Sequence, residues 1–417
     1  MSRSRLNLQR QPPFSIMWKT VSESCNLACD YCYYSRCGGR PGKIERIDPL
    51  LLEKVIMEYM SLTKGAASFV WQGGEPLLAG LDFFQQVVAL QIKYAPDHAI
   101  ISNSLQTNAT LIDDDWARFF KKYNFLIGVS LDGPKEIHDR RRITGSGKGS
   151  FDRVMEGIAF LKKYNVDFNI LTVIHEGNVD KAKELMQFYR RHRFRYIQFI
   201  PCMDFRSQET EKEGKYRITP EQYGRFLCDV FDEWYDDDSN MFVRFFDNML
   251  SIYLHQEAEL CIHRSSCPTM LVLEQNGDAY PCDFYIHDQY KLGNVRRDSL
   301  LEILSKAVHH GFKKMKPNLP HQCTSCEYLR LCHGGCPRNR QWGDVANNVD
   351  YFCESYKKIY QYAGKRMESL AQKIKSRRLA ELIERGYKLP RRNEPCICGS
   401  GKKFKKCCRP LLAAPEK

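Results

Sequence analysis

The 417-residue chain predicts an α/β fold, a parallel barrel or open parallel sheet, followed by a cysteine-rich region and a small metal-binding tail. Three observations carry that prediction. Between Ser15 and about Met203, short β-rich runs alternate with helical patterns, and several runs are nearly continuously apolar, as in strands buried on both faces. Fifteen of the 18 cysteines fall into three groups separated by long cysteine-poor stretches. The segment Ala371–Lys417 holds 14 Lys and Arg against four Asp and Glu, so most of the net charge of +13 sits in the tail.

Strands are expected at 15–22 (SIMWKTVS), 68–72 (SFVWQ), 99–107 (AIISNSLQT), 126–132 (LIGVSLD), 168–175 (FNILTVIH) and 196–201 (YIQFIP). Between them, DPLLLEKVIMEYM starts a helix with Asp48 as N-cap and Pro49 in the first turn. SFDRVMEGIAFLKKY starts another with Ser150 as N-cap. Six such β/α units imply right-handed crossovers and active groups at the C-terminal ends of the strands. Beyond Pro220, PEQYGRFLCDVFDEWYDD and NMFVRFFDNMLSIYLH read as amphipathic helices. Residues 261–353 read as turn-rich, and a helix is expected from about Tyr356 to Arg385.

Composition narrows the class. A hydrophobic share of 43% and a charged share of 27% are ordinary for a globular chain. The opening MSRSRLNLQRQPP has no apolar stretch behind it, and no run approaches the ~18 apolar residues of a membrane span. A cytoplasmic location is therefore expected, where cysteines serve metal or redox chemistry rather than disulfides. With the charge concentrated in the tail, binding of nucleic acid over the whole surface is not supported.

The first cysteine group, Cys25, Cys29 and Cys32, is spaced C-x3-C-x2-C directly after the first strand. Three thiolates leave one iron of a four-iron cluster without a protein ligand, an open position where a cofactor binds. WQGGEP closes the second strand, and its two glycines allow close backbone approach to a ligand. Ser130 ends the fourth strand and Arg142 follows, a hydroxyl and a guanidinium suited to a carboxylate; Arg140 and Arg141 are adjacent alternatives. The second group comprises Cys261, Cys267, Cys282, Cys323, Cys326, Cys332, Cys336 and Cys353. Eight thiolates suit two four-iron clusters or two zinc sites, and spacing alone does not separate these. In the tail, Cys396, Cys398, Cys407 and Cys408 form a sound tetrahedral zinc set. Cys37, Cys202 and Cys228 read as unligated thiols.

CNLACDYCYY closely resembles the cluster loop of radical S-adenosylmethionine (SAM) enzymes. FVWQGGEP, QTNATLID, GVSLDGPKEIHDR, YIQFIP and YPCDFY follow in order, and together they resemble the anaerobic sulfatase-maturating branch over roughly residues 14–370. The resemblance implies a partial (β/α)6 radical SAM barrel (14–235), a SPASM auxiliary-cluster domain (236–370) and a tail (371–417) whose PCICGSGKKFKKCC resembles the SEC-C zinc motif. It implies oxidation of a Cys or Ser in a sulfatase to Cα-formylglycine, with SAM bound at the open iron. Gly73, Gly74 and Glu75 would receive the SAM amino group. Ser130 and Arg142 would hold its carboxylate or ribose, and Tyr31 and Met203 would neighbour the adenine. Tyr34 and Gln72 match positions that face the peptide.

By the same resemblance, one auxiliary cluster takes Cys261, Cys267, Cys282 and Cys336, and the other Cys323, Cys326, Cys332 and Cys353. That makes three [4Fe-4S] clusters, supplied by a low-potential donor such as ferredoxin or flavodoxin. Asp283 beside a ligating cysteine is ordinarily a solvated turn residue; the resemblance makes it the general base. The tail lysines keep a thiolate-rich knuckle near neutral, or contact an acidic partner or nucleic acid. Two other readings stand beside this one. A SPASM enzyme acting on another ribosomal peptide is disfavoured by Asp283 and the short N-terminal segment. A cluster-bearing electron carrier is disfavoured by the open three-cysteine site and GGEP.

Overall fold

The computed structural model describes residues 14–35, 37–63, 65–202, 218–236, 240–309, 311–340, 348–398 and 400–412. Met203, expected beside the adenine, lies outside the described residues. The strands are β1 (Ser15–Lys19), β2 (Ala66–Trp71), β3 (Ile100–Thr107), β4 (Phe125–Ser130), β5 (Phe168–Ile174), β6 (Tyr196–Pro201), β7 (Phe242–Val243), β8 (Met270–Glu274), β9 (Asp278–Tyr280) and β10 (Gly293–Asn294). The chain divides into two compact units. The first takes the described residues of Met1–Gly177, Cys202–Arg217 and Pro268–Met315; the second takes those of Asn178–Pro201, Ile218–Cys267 and Lys316–Lys417.

In the first unit the strand order is β10-β9-β8-β1-β2-β3-β4-β5, parallel from β8 to β5 and antiparallel at the β8–β9 and β9–β10 pairs. The parallel run is the expected β/α array. Its core is aromatic: Trp18 stacks on Trp71 at 5.4 Å between centroids, and Phe84 meets the Trp71 edge at 5.4 Å. The helix Pro49–Leu62 starts as expected, with the Asp48 side chain accepting the N–H groups of Leu50 and Leu51.

Three expectations need correction. The first strand ends at Lys19 instead of Ser22, because Ser22 turns the chain into the cysteine loop with its N–H on Lys19 O (3.0 Å). Ser150 precedes the helix Phe151–Lys163 but does not cap it through its side chain. Its hydroxyl donates to Arg142 O (2.7 Å), and Asp139 accepts the Phe151 N–H instead (2.8 Å). Within the supposedly turn-rich 261–353, β8 forms and pairs with β1 in register, Lys19 opposite Glu274.

In the second unit β6 pairs in parallel with β7. The helices Pro220–Tyr235 and Cys353–Glu384 pack along each other, where Gly224 leaves room for Ser355 and Tyr223 meets Phe352 at 5.1 Å. Thr219 and Gln222 close a reciprocal capping box at the first of these helices. Toward the end of Cys353–Glu384, Leu379 packs on Phe404, Cys396 and Cys408, so the tail knuckle is built onto that helix. Among the described residues no helix is long and apolar enough to cross a membrane.

Candidate active site

The strand ends β1 to β5 of the first unit carry the expected residues. After β1 the chain winds through Cys25 (buried), Cys29 (half-buried) and Cys32 (exposed). The loop is pinned on both sides: Ala28 N–H donates to Ile143 O (2.7 Å), and Glu75 N–H donates to Ser24 O (2.8 Å). A Cβ on Gly74 would lie 2.1 Å from Ser24 O and one on Gly73 2.3 Å from Lys19 Cδ, and both glycines have positive φ. Only glycine permits that approach, which gives GGEP its physical reason. Cys25 Sγ accepts the Leu27 N–H (3.4 Å) and lies 3.9 Å from Asn108 Nδ2. Asn108 and Thr110 also hold Asn26, which explains the polar part of QTNATLID. Burial raises the Cys25 thiol well above its ordinary range and Cys29 to about 12. Loading metal on this loop therefore displaces protons. Cys37 packs against the same loop, its sulfur accepting the Cys25 N–H (3.3 Å).

Glu75 points inward. It is buried and accepts Thr107 Oγ1 (2.7 Å), Asn108 N–H (2.8 Å) and Leu77 N–H (3.1 Å), tying the β2 and β3 ends together. Burial raises its carboxyl to about 7, against the pull of those donors.

Arg142 lies buried at the rim, whereas Arg140 is exposed and Arg141 pairs with Asp30 at 3.0 Å. Arg142 donates Nε to Asp132 Oδ2 (3.0 Å) and Nη2 to Oδ1 (3.3 Å). Tyr31 OH donates to the same carboxylate and Val173 N–H adds a bond at 3.0 Å. Burial pushes Asp132 up, yet the Arg142 guanidinium, His138 and the Tyr31 hydroxyl hold it below the usual carboxylate range. The Tyr31 ring lies between Arg142 (5.4 Å) and His175 (5.8 Å). Ser130 accepts Gln106 Nε2 at 2.9 Å.

Asp283, 8% exposed, lies in the same unit against the end of β1. It forms an ion pair with Lys19, which is fully buried, and accepts Tyr33 OH and Gln72 Nε2, the latter at 3.1 Å. Lys19 also sits 4.1 Å above the Tyr34 ring, and Tyr34 OH donates to Glu274 (2.7 Å). Burial raises the Glu274 carboxyl, with Tyr34 and Lys19 opposing. Tyr33, Tyr34, Glu274 and Asp283 line a cavity of about 370 Å³. Sequence reasoning missed Lys19, Tyr33, Asp132, His175 and Glu274. A lysine closing the apolar run SIMWK was the one visible signal among them.

In the second unit, Cys323, Cys326, Cys332 and Cys353 line one cavity whose wall includes Tyr356 and Tyr360. Cys336 does not line it; its N–H donates to Asp350 Oδ2 (2.8 Å). Cys261 and Cys267 belong to this unit and Cys282 to the first. The sulfurs of Cys396, Cys398, Cys407 and Cys408 all lie within 4.8 Å of one another, and Cys398 is 3.5 Å from Cys396 and 3.4 Å from Cys407. A single tetrahedral zinc with Zn–S near 2.3 Å spaces its sulfurs about 3.8 Å apart, so these four fit one ion. Burial raises the Cys398 thiol, but bonds from Ser400 and Cys407 bring it down to about 6.

Three family models match: the radical SAM superfamily over residues 20–189, the SPASM iron–sulfur cluster-binding domain over 266–327 and the SEC-C motif over 392–410. Fold, rim and matches together define a radical SAM enzyme with an auxiliary iron–sulfur domain, which implies [4Fe-4S] clusters and SAM as cofactors. The chain is 38% identical over 372 residues to the cysteine-type anaerobic sulfatase-maturating enzyme of Clostridium perfringens, 87% of this chain and 100% of that one. It is 36% identical to the serine-type enzyme of Bacteroides thetaiotaomicron, 90% of this chain and 95% of that one. The chain belongs to the anaerobic sulfatase-maturating enzymes. The solved structure of native anSMEcpe with AdoMet and the Cp18Cys peptide matches with a TM-score of 0.80 and 37% identity, over 87% of this chain and 100% of that one. Streptococcus suis SuiB bound to SAM, at 17% identity and a TM-score of 0.57 over 80% of this chain and 75% of that one, shares the fold.

Proposed function

We propose that this protein oxidises a Cys or Ser side chain of a sulfatase polypeptide to Cα-formylglycine. The observation that carries this reading is Asp283, aimed by Lys19, Tyr33 and Gln72 into a cavity at the strand-end rim. When bound at Cys25, Cys29 and Cys32, the cluster and SAM supply the 5′-deoxyadenosyl radical that removes a β-hydrogen. The glycine cradle and the three thiols of the pinned loop fit that group. Gly73, Gly74 and Glu75 form the segment that receives the SAM amino group. Because the Glu75 side chain is occupied internally, backbone carbonyls are the groups left to make that contact. Ser130 and Arg142 hold the carboxylate or ribose, and Tyr31 flanks the adenine. Asp283 takes the proton from the substrate thiol or hydroxyl. Tyr34, in the cavity wall, and Gln72, bonded to Asp283, face the peptide.

Cys261, Cys267, Cys282 and Cys336 hold one auxiliary cluster and Cys323, Cys326, Cys332 and Cys353 the other. The grouping of the last four in one aromatic-walled cavity supports this division. The division 14–235, 236–370 and 371–417 into barrel, auxiliary domain and tail, a cytoplasmic location, and a ferredoxin- or flavodoxin-like donor complete the reading. The test is anaerobic incubation of the reconstituted enzyme with dithionite, SAM and a short sulfatase-motif peptide. A Cys peptide is expected to lose about 18 Da and a Ser peptide about 2 Da, each with one 5′-deoxyadenosine formed. SAM cleavage that leaves both peptides intact would move the activity to another peptide.

The tail thiols hold one zinc ion. Metal analysis of the full chain is expected to give about one zinc beside the cluster iron. Replacing Cys398 and Cys407 together by Ser should remove the zinc and leave the iron count unchanged. Zinc retained by that variant would place the ion elsewhere.

A further inference from the structure

A buried lysine of the second unit bonds to the backbone beside two of that unit's cysteines. Lys316 is 1% exposed, and its Nζ donates to the carbonyl oxygens of Gly335 and of Ile262, the latter at 3.4 Å. Those carbonyls belong to the residue before Cys336 and the residue after Cys261. Burial pulls the Lys316 ammonium below its ordinary value, and the charges of Cys336, Cys261 and Cys267, in that order, oppose it.

The backbone is bent to make this contact. His333, Gly334 and Gly335 all have left-handed φ (47°, 72° and 67°). A Cβ on Gly335 would fall 2.0 Å from Asp350 Oδ2, so the second glycine of HGGC is required by packing. The turn aims the Gly335 carbonyl at Lys316 and the next N–H, that of Cys336, at Asp350.

The other charged groups do not neutralise the lysine. Arg340 is a second buried cation, donating Nη2 to Lys316 O at 3.0 Å. Asp350 is the buried acid on the far side of Gly335. Its oxygens accept the N–H groups of Cys336 and Phe352 (both 2.8 Å) and Asn339 Nδ2 (3.3 Å). Among the described residues no carboxylate pairs with Lys316. A buried ammonium facing only carbonyl dipoles is costly unless a negative charge lies beside it. The thiolates of a ligated cluster are that charge.

We propose that Lys316 is the counter-ion of the auxiliary cluster held by Cys261, Cys267 and Cys336, and that it raises the reduction potential of that cluster. The inference rests on the reading of those thiols as cluster ligands. Reduction adds an electron to an already negative group, and a fixed cation stabilises the reduced form more than the oxidised one. A lysine serving only to cross-link two carbonyls would have no such effect.

The test uses the full-length protein with Cys25, Cys29 and Cys32 changed to Ala, so that only auxiliary clusters report. Iron is counted, and midpoint potentials are read by titration followed with electron paramagnetic resonance. Lys316→Met and Lys316→Gln are each expected to move one of the two auxiliary potentials to a more negative value and leave the other in place. Lys316→Arg, which keeps the charge, is expected to move it less. If the neutral variants lose one cluster's iron while Lys316→Arg keeps it, the counter-ion role stands on loading instead of potential. Full iron with neither potential moved overturns the proposal, as does equal loss of iron in all three variants. Cys336→Ala, run in parallel, isolates the ligand assignment: it loses one cluster's iron if that assignment holds and keeps it if the assignment has failed.

Discussion

Asp283→Asn is expected to lower peptide oxidation by at least about 100-fold, the smaller end of what a positioned base contributes. Cleavage of SAM should persist, because Asp283 is not among the groups around Tyr31, Arg142 and Asp132. The structure adds a second effect. Asp283 is the ion-pair partner of Lys19, a lysine with no exposed surface. Removing one member of a buried pair typically costs about 3–5 kcal/mol, because the remaining charge loses its compensation. Here the cost should fall near the lower end, since Glu274 lies opposite Lys19 in the β1–β8 register and its charge remains. The two effects separate in the double variant. Lys19→Met with Asp283→Asn removes both charges, so thermal stability of the anaerobic holoenzyme should recover in part, Glu274 having lost Lys19 as its neighbour, while peptide oxidation stays low. An Asp283→Asn enzyme that oxidises peptide at the wild-type rate would place the base elsewhere. A double variant that regains activity would make Asp283 a structural partner of Lys19 and nothing more.

What could be read directly from the chain was whatever depends on residue type at short spacing. C-x3-C-x2-C after a strand, the Cys396–Cys408 set and GGEP each impose chemistry within a few residues, and the strands of the parallel run announce themselves by apolar continuity. The missed parts depend on pairings between distant segments. Glu274 reaches Lys19 and Tyr34 only because β8, a five-residue strand between cysteine-bearing turns, pairs with β1 more than 250 residues earlier. MLVLE is itself a short apolar run, but nothing local in it says that it pairs with β1. The same holds for Lys316, whose place depends on three successive left-handed residues before Cys336. Ser150 shows a subtler limit. Its position at the helix start was legible, but its hydroxyl had a competing acceptor in Arg142 O that only folding brings within reach.

Arg142→Met is expected to abolish SAM cleavage and to invert the acid response of the fold. In the native protein Asp132 titrates below its ordinary value because Arg142 and Tyr31 favour its charged form against burial. Between that lowered value and about 3.9, the unfolded chain binds more protons than the native one, so stability falls as the pH drops through this window. Without the guanidinium, burial dominates and the carboxyl of Asp132 rises above its unfolded value. The native state then binds more protons than the unfolded state over the new window, and the sign of the slope reverses. Arg142→Met should therefore be less stable by about 3–5 kcal/mol near neutral pH, with the deficit shrinking as the pH is lowered toward the unfolded carboxylate value. Arg142→Lys keeps a charge but not the paired Nε and Nη2 contacts, so it should restore most of the stability and only part of the SAM binding. Unfolding curves from pH 4 to 8 for wild type and both variants, beside SAM cleavage rates, decide it. A deficit for Arg142→Met that stays constant with pH would mean that Asp132 keeps its charge by its bonds to Tyr31 and Val173 and by His138, without Arg142. In that case Arg142 serves the cofactor without being needed by the carboxylate beneath it.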